Sequence, residues 1–183
     1  MLRFLFRLLM LSSIFLSCKN KQESKQQFYP IRYFIEQELT VIDTFSLPIK
    51  RYYHDANRSD SSIIQPTELR DIVNELLLNS LSSVDALNNY EETTINDMNL
   101  DFITLSYTTT EKNITKIELH IDPKNEKIKS LYAEKTDSKK DSIVTKKILW
   151  TAGSQLLVNT IFNTQNRIST ITERYNWSLN HSK

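Results

Sequence analysis

Along the chain the pattern of apolar and polar positions changes character three times, and each stretch predicts a different element. An uncharged, mostly apolar run from Leu8 to Ser17 follows Arg3 and Arg7, and residues 19–27 then hold no apolar side chain. From Ile31 the apolar positions take helical spacing: Ile31, Phe34, Ile35, Leu39 and Ile42 fall on one stripe, with Arg32, Glu36, Gln37 and Thr40 opposite. Pro30 suits the first turn of this helix, and Pro48 blocks its continuation. A second stripe, Leu69, Ile72, Val73, Leu76 and Leu77, follows Pro66 and Glu68, a proline and an acid that both favour a helix start. This pattern expects Ile72 and Leu76 against a sheet, and Arg70 and Asn74 toward solvent.

Between the two helices, residues 49–54 read as a strand, 55–60 as a turn cluster and 61–64 as a short return strand. Residues 80–89 read as a loop with one helical turn around Asp85, Ala86 and Leu87. From Glu91 onward the period becomes two. Strands are expected near 91–95, 100–109, 114–122, 127–136, 142–150, 155–163 and 167–177. In the third of these, Ile117, Leu119 and Ile121 point inward, and Glu118, His120 and Asp122 outward. Asp122-Pro123-Lys124-Asn125 has the proline of a tight turn. Short links imply antiparallel neighbours. The expected fold is α+β: an antiparallel meander sheet of about six to nine strands, covered by two N-terminal amphipathic helices, in a single domain over residues 29–183.

The apolar run ends at Cys18, the chain's one cysteine. A basic start, an apolar middle and the small Ser17 before Cys18 have the form of a secretory signal. Phe15-Leu16-Ser17-Cys18 resembles the signal of bacterial lipoproteins, in its relaxed Bacteroidota form; only Ser17 is the small residue that pattern prefers. The resemblance implies that residues 1–17 are a signal peptide, that Cys18 is acylated, and that residues 18–28 are a polar tether. Two or more acyl chains hold a protein stably to a bilayer, where one does so only marginally. An ordinary cleaved signal and an uncleaved anchor are the alternatives. A membrane span needs about 20 apolar residues, more than this run supplies. Phe28-Tyr29-Pro30, Tyr107-Thr108-Thr109, Lys129-Ser130-Leu131-Tyr132 and 145–150 are similar to small Bacteroidota lipoproteins, a resemblance that brings no established activity with it. Lys19-Asn20-Lys21 lacks the acids of surface-exported members, which implies the outer membrane with the domain facing the periplasm.

Composition narrows the function. Lys and Arg number 23 against 22 acids, and setting aside Arg3 and Arg7 turns the net charge from +1 to about −1. No basic excess points to nucleic acid. Gly153 is the one glycine, so no phosphate-binding loop, dinucleotide fingerprint or nucleophile elbow is present in the sequence. Asn and Asp are expected to supply the positive φ of turns. No cofactor and no metal are expected: His54, His120 and His181 are scattered, and the cysteine is committed to the anchor.

The remaining candidates are weak. His120 and Asp122 share one strand face and are the nearest approach to an acid–base pair, with exposed strand residues as the simpler reading. Glu36 with Glu38, and Glu91 with Glu92, read as solvated acids rather than facing catalytic carboxylates. Lys139, Lys140, Lys146 and Lys147 surround one predicted hairpin, with Lys129 and Arg174 as possible additions. They form a candidate basic patch for anionic lipid headgroups or a cell-wall polymer, or a guard against edge-to-edge aggregation. Tyr29, Tyr33, Phe34, Tyr52, Tyr53, Trp150, Tyr175 and Trp177 are expected in the core. The expectation is a non-catalytic, lipid-anchored envelope protein that meets an unknown envelope protein or lipid through a surface. The alternative is a carrier holding a lipid or other apolar ligand inside a curved sheet.

Overall fold

The computed structural model describes residues 29–81, 87–96 and 102–177. The expected signal peptide, Cys18, the tether, His181 and the helical turn at 85–86 lie outside the described residues. Helix α1 runs over Ile31–Thr44 and buries Ile31, Ile35, Leu39 and Ile42, with Pro30 as its N-cap. Strands β1 (Ile49–His54) and β2 (Ser59–Ile64) form a hairpin. Helix α2 (Pro66–Val73) opens with Pro66 in its first turn, and the Glu68 carboxylate accepts the Gln65 N–H at 3.2 Å. It continues as a π-helical turn, Asn74–Leu78, closed by Asn79 N–H donating to the Asn74 carbonyl at 3.0 Å. The wider π turn places three successive residues, Leu76, Leu77 and Leu78, in the core. An α-helical continuation of the apolar stripe had pointed only to the first two.

Seven strands follow: β3 (Glu91–Asn96), β4 (Ile103–Thr108), β5 (Ile114–Ile121), β6 (Ile128–Lys139), β7 (Ser142–Thr151), β8 (Gln155–Thr164) and β9 (Arg167–Asn176). Among the described residues nine strands lie in one antiparallel sheet, in the order β2-β1-β9-β8-β7-β6-β5-β4-β3. The fold is therefore α+β, and β3 to β9 are a plain meander. The first hairpin departs from that order, because β1 docks on β9, the last strand. Nor do two helices precede the sheet. Only α1 does; α2 follows the hairpin, and its segment connects one sheet edge, β2, to the other, β3.

Antiparallel register puts directly opposed residues on the same face. On the helix side, one row reads Leu131, Trp150, Leu156 and Tyr175, and the next Ala133, Ile148 and Val158. Leu105 with Leu119 and Tyr107 with Ile117 extend the same face into β4 and β5. These side chains, together with the helix residues above, make one core in which Trp150, Tyr107, Tyr175, Ile35 and Leu77 are fully buried. The edges are mostly polar. Every residue of β3 is exposed, and β2 exposes all but Ile64; Ile95 and Ile63 are the exposed apolar side chains of the two edge strands.

Three details correct the sequence reading. Arg70 does not point to solvent alone: its Nε donates to Asp43 of α1 at 3.1 Å, and Asn74 is half-buried. Ile72 is partly buried, whereas Leu76 is in the core as expected. Among the described residues positive φ falls on Ser46, Glu126 and Gly153, not on Asn or Asp. In the β5–β6 turn Asp122 and Asn125 act through their side chains, accepting the backbone N–H of Lys124 at 2.9 Å and of Lys127 at 3.0 Å. The left-handed position then falls on Glu126.

Candidate functional site

The four lysines of the expected basic patch do not form one surface. Lys146 lies on the helix side of β7 and Lys147, the next residue, on the other side, because successive strand residues alternate. Lys139 shares the helix side, and Lys140 sits in the turn before β7. Lys146 Nζ reaches the Glu75 carboxylate at 3.3 Å, and Lys135, directly opposite Lys146, donates to the Glu75 carbonyl at 2.9 Å. Lys129 pairs with Asp122 at 3.6 Å, away from the others.

His120 and Asp122 are not the exposed, unpartnered residues expected. His120 is half-buried; its Nδ1 lies 2.9 Å from Ser130 Oγ across β5–β6, and its ring stacks on Phe102 at 4.4 Å. The Asp122 carboxyl is held below its ordinary pKa, first by the Lys124 N–H and then by Lys129. A second Ser–His contact, His54 Nδ1 to Ser59 Oγ at 2.7 Å, lies on the exposed hairpin. A serine beside an imidazole is half of a nucleophile arrangement; it needs a third group to orient the ring and donors for an oxyanion. Ser130 sits in β6, which is paired on both sides, and Ser59 in the exposed edge strand β2; no carboxylate is hydrogen-bonded to either imidazole among the described residues.

The acidic pairs also resolve differently. Glu36 is bound to Arg32 at 2.8 Å on the helix surface. Glu38 is no solvated acid: it accepts the Gly153 N–H at 2.6 Å and faces Trp150 Nε1 at 3.4 Å, clamping α1 onto the β7–β8 turn. Glu91 and Glu92 are exposed on the edge strand β3. A polar cluster not anticipated joins the hairpin to β9. Arg51 donates to Glu173 through Nε at 3.1 Å, and the Tyr175 hydroxyl donates to the same oxygen at 3.1 Å. Burial, and then Glu173, raises the Tyr175 pKa. Alternation in β1 and β9 placed these residues on one face, but their pairing spans most of the chain and has no local signal.

The hairpin turn carries an acid-dependent element. Asp55 accepts the N–H groups of Asn57 at 2.7 Å and Arg58 at 2.8 Å, and the Tyr53 hydroxyl at 2.8 Å. Its carboxyl is held below the usual value chiefly by the Asn57 N–H and then by Tyr53; Asp60 is held down by Arg58. A depressed folded-state pKa stabilises fully above the unfolded value, about 4, and that stabilisation is lost as pH falls through the folded value. Thermal midpoints are therefore expected to drop below about pH 4, with a shallower drop in Asp55→Asn. Identical acid limbs for the two proteins would refute the assignment.

The aromatic set divides between core and surface. Trp150, Tyr175 and Trp177 are buried, and Tyr29 and Phe34 pack partly on the core, but Tyr33 and Tyr52 are exposed. On the sheet face away from the helices, one row runs Tyr132, Leu149, Leu157, Arg174 and Tyr52. Tyr132, Leu149 and Leu157 are half-buried. The Tyr132 pKa is pushed up to about 12 by burial and by its bond to Glu134. The flanking rows are polar: Ser130, Thr151, Gln155 and Asn176 on one side, and Glu134, Lys147, Asn159 and Thr172 on the other. The buried Oδ1 of Asn176 has no hydrogen-bond partner. No described helix lies over this face. Among the described residues no three of His, Cys, Asp and Glu converge as a metal site, and no helix is long and apolar enough to cross a membrane. Compared with protein-family models, with curated proteins and with solved structures, the chain matches none.

Proposed function

We propose that this protein is a lipid-anchored component of the cell envelope, held by an acylated Cys18 at the outer membrane with its domain in the periplasm, and that it acts without catalysis by binding a partner through the outer face of its sheet. The observation that carries this reading is the row Tyr132, Leu149 and Leu157, an apolar strip on three adjacent strands bordered by polar rows. An apolar centre with a polar rim is the anatomy of a protein interface. The pairing of Arg51 with Glu173, Arg58 with Asp60 and Arg70 with Asp43 favours a structural use of these charges over a chemical one. A carrier that holds an apolar ligand beneath the helices is the second reading. The filled space between helices and sheet, where Trp150, Ile35, Leu39 and Leu77 are fully buried, weighs against it.

A photo-crosslinking side chain at Leu157, in cells, tests the outer face. A discrete adduct is expected from position 157 and not from Gln37 on the exposed surface of α1, and Leu149→Lys is expected to remove most of it. Adducts from position 37 alone, or an adduct indifferent to Leu149→Lys, would move the interface elsewhere.

A further inference from the structure

The helices cover only part of their side of the sheet. Beyond them the long strands β6 to β9 continue, and register defines three more rows on that face. They read Lys135, Lys146, Thr160 and Ile171; then Asp137, Val144, Phe162 and Ser169; then Lys139, Ser142, Thr164 and Arg167. An open groove of about 640 Å³ lies here, with Lys139 and Lys146 on its wall and Val144 and Phe162 on its floor. That volume is within the range of about 300–1,000 Å³ usual for small-molecule sites.

The charge arrangement is unusual for a surface with only a structural role. Lys135 and Lys146 oppose each other directly across β6–β7, a like-charge placement that is destabilising in itself, and both reach Glu75. Lys139 and Arg167 flank the outermost row of the same face. Against these four cations stand Asp137 and Glu75, and the Glu75 side chain is 75% exposed. Thr136 and Ser138 line the groove with these cations, so hydroxyl groups border its apolar floor, whereas the Thr164 hydroxyl is already bonded to the Arg167 carbonyl at 3.0 Å.

We propose that this groove binds an amphiphile with an anionic headgroup, a phosphate or carboxylate held by Lys146 and Lys139, with its apolar part on Val144 and Phe162. Charge complementarity selects the headgroup, and the half-buried Phe162 and Val144 select a ligand larger than a bare ion. The proposal concerns the face opposite the outer strip and does not depend on that reading.

The test titrates octyl phosphate into the full chain held in phosphatidylcholine nanodiscs, with empty nanodiscs as the blank. Octyl phosphate is expected to bind, and octanol and inorganic phosphate at least about tenfold more weakly, since one charge-assisted contact or the apolar floor is then missing. Lys146→Ala, Lys146→Met and Phe162→Ser are each expected to weaken binding by about tenfold. Lys147→Ala, one residue away on the other face, should leave it unchanged. Affinity should fall with added salt. Repeating the titration in phosphatidylglycerol nanodiscs separates the sources. Loss of octyl phosphate binding there identifies a membrane headgroup as the occupant, and unaltered binding identifies a free amphiphile. Equal binding by Lys146→Met and the native chain, inorganic phosphate binding as tightly as octyl phosphate, or no binding at all, would overturn the proposal.

Discussion

Replacing Trp150 by alanine is expected to cost about 3–5 kcal/mol of folding free energy, the range for removing a large buried ring. Trp150 is completely buried, lies between Leu131 and Leu156 across the sheet, and meets Trp177 edge to face at 5.4 Å. It is also where α1 is fastened, since its indole N–H faces Glu38. The ring thus fills the centre of the core and supports the contact that seats a helix. A domain of this size has about 5–15 kcal/mol of stability in all, so the variant should be near the threshold of unfolding. Denaturant titration followed by circular dichroism measures the loss. Trp150→Phe keeps an aromatic ring in the core but gives up part of the indole volume and a long hydrogen bond, so it should cost less than the alanine variant. A loss below about 1 kcal/mol for the alanine variant, the size of an ordinary surface change, would mean that this side of the sheet is not closed by the helices.

How much of this was legible follows the range of each signal. The strands from β5 to β9 match the sequence reading within a few residues at each end, because alternation and turn chemistry act over neighbouring positions. Ile117, Leu119 and Ile121 face the core as their alternation requires. Partner choice was not legible. Nothing local says that β1 docks on β9, a pairing of Tyr53 with Glu173 across most of the chain. The order of helices and strands was readable, yet the path of the chain from β2 to the opposite edge at β3 depends on where the hairpin docks.

The placement of the four lysines was only partly legible, for the same reason. Grouping Lys139, Lys140, Lys146 and Lys147 by nearness in sequence joined two faces of one strand, whereas register groups Lys135, Lys139, Lys146 and Arg167. The alternation of β6 and β7 contained part of that answer: Ala133, Lys135, Asp137 and Lys139 are all two apart. Glu38 looked solvated because its helix position borders the apolar stripe. The turn at Gly153, which takes φ 67 and brings its N–H to the carboxylate, and the indole of Trp150 give Glu38 its partners.

The largest functional effect is expected from Cys18→Ala. If Cys18 is acylated, its two or three chains supply nearly all the membrane affinity, because the charge of the remaining chain is close to neutral and adds little attraction to anionic lipid. The variant should then lose fatty-acid labelling completely and either appear in the soluble fraction or accumulate with residues 1–17 still attached. The domain should fold in both cases, since Tyr29, the first described residue, is already tied to it: its N–H donates to the Tyr107 hydroxyl at 3.2 Å and its own hydroxyl to the Glu126 carbonyl at 2.6 Å. These bonds also place Tyr29 beside the β5–β6 turn. Residues 18–28 extend at most about 40 Å from that point. The groove at Lys139 and Arg167 lies at the other end of β6 and β9 from this turn. Metabolic labelling with an alkyne fatty acid, followed by membrane fractionation, measures both parts. Equal labelling of the native chain and Cys18→Ala would remove the anchor.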